Sequence, residues 1–100
     1  MQAETLQLVT IVAESVIAEQ LLAGLKRLGA SGFTVTEAIG EGSRGRRVGE
    51  VPGDNRRIET LVGPDVAQRI LDFLAERYFA NYALVVWTTD VRVVRGEKYR

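Results

Sequence analysis

Leu6-Gln-Leu-Val-Thr-Ile-Val-Ala13 (LQLVTIVA) is the stretch on which the reading of the fold turns. Its two faces, Leu6, Leu8 and Val12 against Val9, Ile11 and Ala13, are both largely apolar. A strand with that pattern is a central one covered on both sides. Downstream, Ser15 can cap a helix whose apolar positions Val16, Ile17, Leu21, Leu25 and Leu28 recur at three- and four-residue spacing, and Gly29 ends it. Phe33 to Ile39 alternates as a strand does, and so does Arg57 to Val62, with Ile58, Thr60 and Val62 inward and Arg57 and Glu59 outward. Pro64 and Asp65 open a second helix with Val66, Ile70, Leu71, Phe73, Leu74 and Tyr78 on its apolar face. Tyr82 to Thr89 (YALVVWTT) reads as another strand buried on both faces, extended by Val91, Val93 and Val94 toward a polar end.

The order βαββαβ is the split βαβ, or ferredoxin-like, arrangement, an α+β domain with an antiparallel four-stranded sheet. The first and last strands, the most apolar, are expected at its centre. The two helices cover one sheet face. Because the other face is also apolar, Trp87 included, it is expected to be covered by oligomerisation.

One hundred residues, 46% of them hydrophobic, suit a single domain over 1–100 with one core. Thirteen Lys and Arg balance thirteen Asp and Glu, so no bulk field recruits nucleic acid or membrane. Cysteine and histidine are both absent, which removes disulfides, thiol nucleophiles, Cys/His zinc sites and imidazole as a general base. No apolar run approaches the roughly 20 residues of a membrane span, and Met1 to Thr5 carries no export signal. A soluble cytoplasmic domain is the expectation.

Gly40 to Asn55 (GEGSRGRRVGEVPGDN) breaks every period. It holds five of the ten glycines and three arginines, and structureless loops of this length are usually functional or disordered. Gly40 and Gly42 let backbone N–H groups turn toward an anion, and Ser43 adds a hydroxyl donor. Arg44, Arg46 and Arg47 add guanidinium forks suited to phosphate oxygens. On its own the segment is equally a flexible connection. It has no GxxxxGK[ST] pattern and leads into a strand, so helix-dipole phosphate binding does not apply.

Gly32-Phe-Thr-Val-Thr-Glu37 followed by Gly40-x-Gly42 resembles the start of the T-loop in PII signalling proteins. Gly40-Glu-Gly-Ser-Arg44 with Arg47 is closer to the PII-like proteins of inorganic-carbon uptake, the SbtB and carboxysome-associated branch. Arg77-Tyr-Phe-Ala-Asn-Tyr-Ala83 is similar to the end of their second helix and the turn into the last strand. The resemblance covers nearly the whole chain. It implies a homotrimer that binds an adenine nucleotide in intersubunit clefts and signals through the loop, without catalysis as its main role.

Carried over by residue, the resemblance puts Thr34 and Leu61 beside the adenine, and Gly40, Gly42 and Ser43 at the phosphates. Arg47 grips phosphate, Arg44 binds phosphate or orders the loop, and Arg92 faces phosphate with Arg95 close enough to assist. The competing reading of Arg92 and Arg95 is a solvated C-terminal edge, and that of Leu61 is ordinary core packing. The chain departs from typical PII proteins at Asn81-Tyr-Ala-Leu-Val-Val-Trp87, where no Gly or Lys stands to hold the outer phosphates of ATP. The ligand expected is therefore AMP, ADP or cyclic AMP, with bicarbonate as a candidate co-ligand. No Tyr lies between Gly40 and Asn55, and no Cys-bearing redox extension follows. The partner implied is a bicarbonate transporter or a carbonic anhydrase system, reached from the cytoplasm, at the inner membrane if through a transporter.

Three other readings compete. An enzyme hydrolysing nucleotide slowly with Mg²⁺ lacks His, Cys and a paired carboxylate motif, since Glu14, Glu37, Glu59 and Asp90 are scattered. An RNA-binding module needs aromatics on one sheet face, and Tyr82 and Trp87 fall on opposite faces by parity. A copper-tolerance-type trimer needs soft metal ligands that the chain does not offer.

Overall fold

The computed structural model describes residues 2–40 and 54–95. The chain runs through β1 (Ala3–Glu14), a short 3-10 turn (Ser15–Ile17), α1 (Ala18–Leu28), β2 (Thr34–Ala38), β3 (Asn55–Val62), α2 (Pro64–Arg77) and β4 (Leu84–Val94). The strands form one antiparallel sheet in the order β2-β3-β1-β4. This is the ferredoxin-like α+β fold, as the element order implies.

The centre of the sheet differs from expectation. β1 and β3 are the inner strands, and β4 is an edge. Apolarity on both faces reports what covers a strand above and below, not where it stands in the sheet. β4 packs Leu84 and Val86 against the core, yet leaves Val85 and Trp87 exposed on the other side. β3 takes the central place with alternation alone: Ile58, Thr60 and Val62 are buried against the helices.

Cross-strand register assigns the two faces. Val9, Ile11 and Ala13 of β1 face the helices and join Ile17, Leu21, Leu25, Ile58, Val62, Ala67, Ile70 and Leu74 in one core. The helices approach closely because α1 carries Gly24, where a Cβ would lie 2.5 Å from the Phe73 ring of α2. Gly29 ends α1 at φ +113°, and the amides of Gly29 and Ala30 close back onto the carbonyls of Lys26 and Leu25. Pro64 opens α2 in the first turn, as its fixed φ favours.

Ser15 does not cap α1. Its N–H donates to the Asp54 carbonyl at 3.0 Å and its hydroxyl to the Asp54 carboxylate, so it ties the end of β1 to the start of β3. The intervening 3-10 turn leaves Val16 75% exposed, outside the helix face to which its spacing assigned it. Tyr82 also falls outside its expected strand. It sits in the turn before β4, its ring 5.6 Å from that of Tyr78 and packed against the core. Trp87 is thus the one aromatic carried by a described strand, and a row of stacking rings is not formed. No described helix is long and apolar enough to cross a membrane.

Candidate functional site

The face of the sheet away from the helices is built from alternate residues: Leu6, Leu8, Thr10 and Val12 of β1, Arg57, Glu59 and Leu61 of β3, and Val85, Trp87 and Thr89 of β4. Thr34 and Thr36 of β2 share it through their pairing with Glu59 and Arg57. At its β2 rim lies an open cavity of about 350 Å³ lined by Leu8, Gly32, Phe33, Thr34, Glu59, Thr60 and Leu61. That volume is within the range of small-ligand pockets. The chain leading from α1 into β2 forms one wall and is pinned by the Thr60 hydroxyl, which donates to the Gly32 carbonyl at 2.7 Å.

Two residues singled out from the sequence, Thr34 and Leu61, therefore come together in this cavity. Leu61 pairs with Leu8, on the face away from the helices, and stands outside the helix-side cluster of buried residues. Leu61 is half-buried there, on the cavity wall. Gly40 is exposed, with open space around it. Gly42, Ser43, Arg44 and Arg47 lie outside the described residues.

Arg92 and Arg95 are exposed at the C-terminal end of β4, Arg95 with φ at +70°. They do not converge with Thr34 inside one chain. From β2 to β4 are three strand spacings, about 14 Å, and the Arg92 partner Thr5 stands five positions along β1 from Thr10, about 17 Å. No arginine side chain spans that gap. A site using both groups has to be assembled from two chains.

The sequence reading missed Glu59 as part of this place. Its carboxylate accepts a hydrogen bond from the Thr10 hydroxyl at 2.9 Å and lies 3.5 Å from Arg57 Nη2. The Arg57 guanidinium in turn sits 5.5 Å over the Trp87 ring. Parity was the available signal: Glu59 is two residues from Leu61 and so on the same face. Phe33 and Leu8 read only as strand residues, because the cavity they line depends on how the chain enters β2. Away from the pocket, Glu37 and Arg56 at the far end of the β2–β3 pairing form a loose pair at 3.9 Å, and such exposed pairs contribute little.

A βαββαβ sandwich with a ligand-sized cavity at the β2 rim and arginines at the opposite edge defines a small ferredoxin-like binding module. The chain belongs to the nitrogen regulatory protein P-II family, whose model matches residues 6–98. It is 52% identical over the full length of both chains to a Thermus thermophilus protein assigned to the PII-like signalling class, with a TM-score of 0.87. It is 25% identical to CPII of Thiomonas intermedia in the structure bound to ADP and bicarbonate, covering 99% of this chain and 98% of that one, TM-score 0.87. The CPII structure bound to ADP, AMP and bicarbonate, 24% identical over 99% and 97% of the chains, shares the fold with a TM-score of 0.86.

Proposed function

We propose that this chain is a non-enzymatic PII-like signal transducer that binds AMP, ADP or cyclic AMP between the subunits of a homotrimer and regulates a partner through its β2–β3 loop. The observation that carries this reading is the cavity holding Thr34 and Leu61, with Arg92 and Arg95 too distant to reach it in the same chain. A closed ring brings the arginine edge of one subunit toward the pocket of the next. It also covers Val85 and Trp87, which the protomer leaves exposed on an apolar edge strand of 11 residues. Ligands seen on CPII support an adenine nucleotide, with bicarbonate as co-ligand. The Gly40-Glu-Gly-Ser-Arg44 string favours the inorganic-carbon branch, with a bicarbonate transporter or carbonic anhydrase system as the regulated partner. The cytoplasm is where such a partner presents its regulated side, and no contact with nucleic acid is involved.

Arg47 is the residue assigned to grip the phosphate, helped by Gly40, Gly42, Ser43 and Arg44. Calorimetry with AMP, ADP, cyclic AMP and ATP, each with and without bicarbonate, tests the ligand. AMP and ADP are expected to bind at least as well as ATP, because the turn at Asn81–Ala83 offers no lysine to the outer phosphates. Arg47→Ala is expected to weaken binding about ten- to a hundredfold, the loss of one charge-assisted pair. Arg69→Ala, on the exposed side of α2, is expected to leave it unchanged. A strong preference for ATP, or an Arg47→Ala protein that binds like the parent, overturns the site.

A further inference from the structure

One rung of side chains crosses the whole open face of the sheet. Register pairs Thr34 with Glu59, Glu59 with Thr10, and Thr10 with Trp87, so the pocket threonine and the exposed tryptophan are the two ends of a single row. Its inner members are tied together by direct contacts. Thr10, only 1% exposed, donates its hydroxyl proton to the Glu59 carboxylate at 2.9 Å. Arg57, on the next rung, reaches Glu59 at 3.5 Å and lays its guanidinium over the Trp87 ring at 5.5 Å. Arg57 is therefore shared between a wall of the cavity and a ring 39% exposed at the far edge strand.

We propose that Arg57 is a positioning residue that couples occupancy of the rim cavity to Trp87 on the sheet face. The physical basis is competition for one cation. Arg57 holds Glu59 by charge and Trp87 by the face of its ring, and both attractions depend on where a single planar group lies. A ligand donor that engages the Glu59 carboxylate, or a ligand that turns it away from Arg57, changes the share left for Trp87. Thr10 has no such freedom, because it is buried, so the Glu59 carboxylate moves about a fixed hydroxyl. Coupling of this kind is reciprocal: whatever covers Trp87 alters the affinity of the cavity by the same factor. On the trimeric reading, which this inference deepens, the covering surface is a second copy of the chain, and the rung tells one pocket about the neighbouring interface.

Trp87 is the single tryptophan of the chain, so its emission reports the ring directly. The experiment is a titration of the full chain with ADP, followed in parallel by calorimetry and by tryptophan fluorescence. The expected result is a saturable change in Trp87 emission with the same midpoint as the heat. In Arg57→Gln the emission change is lost while ADP still binds, about two- to fivefold more weakly, the size expected for a partly solvated pair. Arg57→Lys, which keeps the charge but not the planar group, is expected to recover the emission change only in part. Circular dichroism and the thermal midpoint establish that both variants are folded, and a Gln variant that does not fold leaves the Lys variant and the parent to decide. ADP that binds by heat with no response at Trp87, or an undiminished response in Arg57→Gln, overturns the coupling and leaves the nucleotide reading standing. Absence of heat with ADP, AMP and cyclic AMP alike overturns both.

Discussion

The two faces of the sheet are nearly equal in the apolar residues that the strands supply, and they end in opposite conditions. Toward the helices, Val9, Ile11, Ile58 and Val62 are all 0% exposed. On the other side Val85 is 52% exposed and Trp87 39%, on an edge strand. The first face is explained within the protomer, because two amphipathic helices lie on it. The second buries Leu6 and Thr10 but leaves its β4 edge open among the described residues, and it differs in one further respect. Its apolar surface is interrupted by Thr10, Glu59 and Arg57, three polar groups that satisfy one another. A face meant only to bury hydrocarbon has no use for them. On the proposed reading, a face that carries a ligand pocket at its rim does.

The sharpest way to break this comparison is to place a charge on the open face and a void on the covered one. Val85→Asp puts a carboxylate where the proposed trimer is closed, and an unpaired buried charge costs several kcal/mol, about 3–5. The expected outcome is loss of the trimer in light scattering at micromolar concentration, with the far-ultraviolet circular dichroism of the protomer retained. A trimer that survives this change removes the sheet face from the interface. Ile58→Ala on the helix side is expected to do the converse. It removes a fully buried side chain from the core, for about 2–5 kcal/mol of destabilisation in urea unfolding. The subunit count of the folded fraction stays the same.

That division is half legible from residue order. The alternation of Ile58, Thr60 and Val62 and the spacing of Leu21, Leu25, Ile70 and Leu74 identify the helix-side core, because period alone decides which side of an element is buried. Composition puts β4 at the centre instead of the edge, because it carries no information on lateral order. Order depends on which strands the helices bridge. Ser15 misleads for a related reason: its hydroxyl has both a local partner, the first turn of the helix, and a distant one, Asp54, and the distant one wins. Of the site, Thr34 and Leu61 are legible through resemblance, whereas Glu59 is not, since an acid on a strand looks solvated until its neighbours are known. Gly42, Ser43, Arg44 and Arg47 rest on the sequence, outside the described residues.

The finest division falls within a single short strand. Thr34 and Thr36 both point to the open side of β2, both are exposed, and they differ by one rung: Thr34 stands opposite Glu59 and lines the cavity, while Thr36 stands opposite Arg57 and does not. Replacing either by Val keeps the shape and removes only the hydroxyl, and valine suits an edge strand at least as well as threonine. Neither change is therefore expected to move the thermal midpoint appreciably. If the cavity is the adenine site, Thr34→Val loses one neutral hydrogen bond to the ligand, about 0.5–1.5 kcal/mol, which is roughly two- to tenfold in the Kd for ADP. Thr36→Val is expected to change that Kd by less than the scatter of repeated calorimetry. Equal losses at the two positions would mean that β2 responds as a whole, through its connection to the loop, and not through the cavity wall. No loss at either would move the adenine away from Thr34 while leaving the trimer, which the Val85 experiment tests independently, untouched.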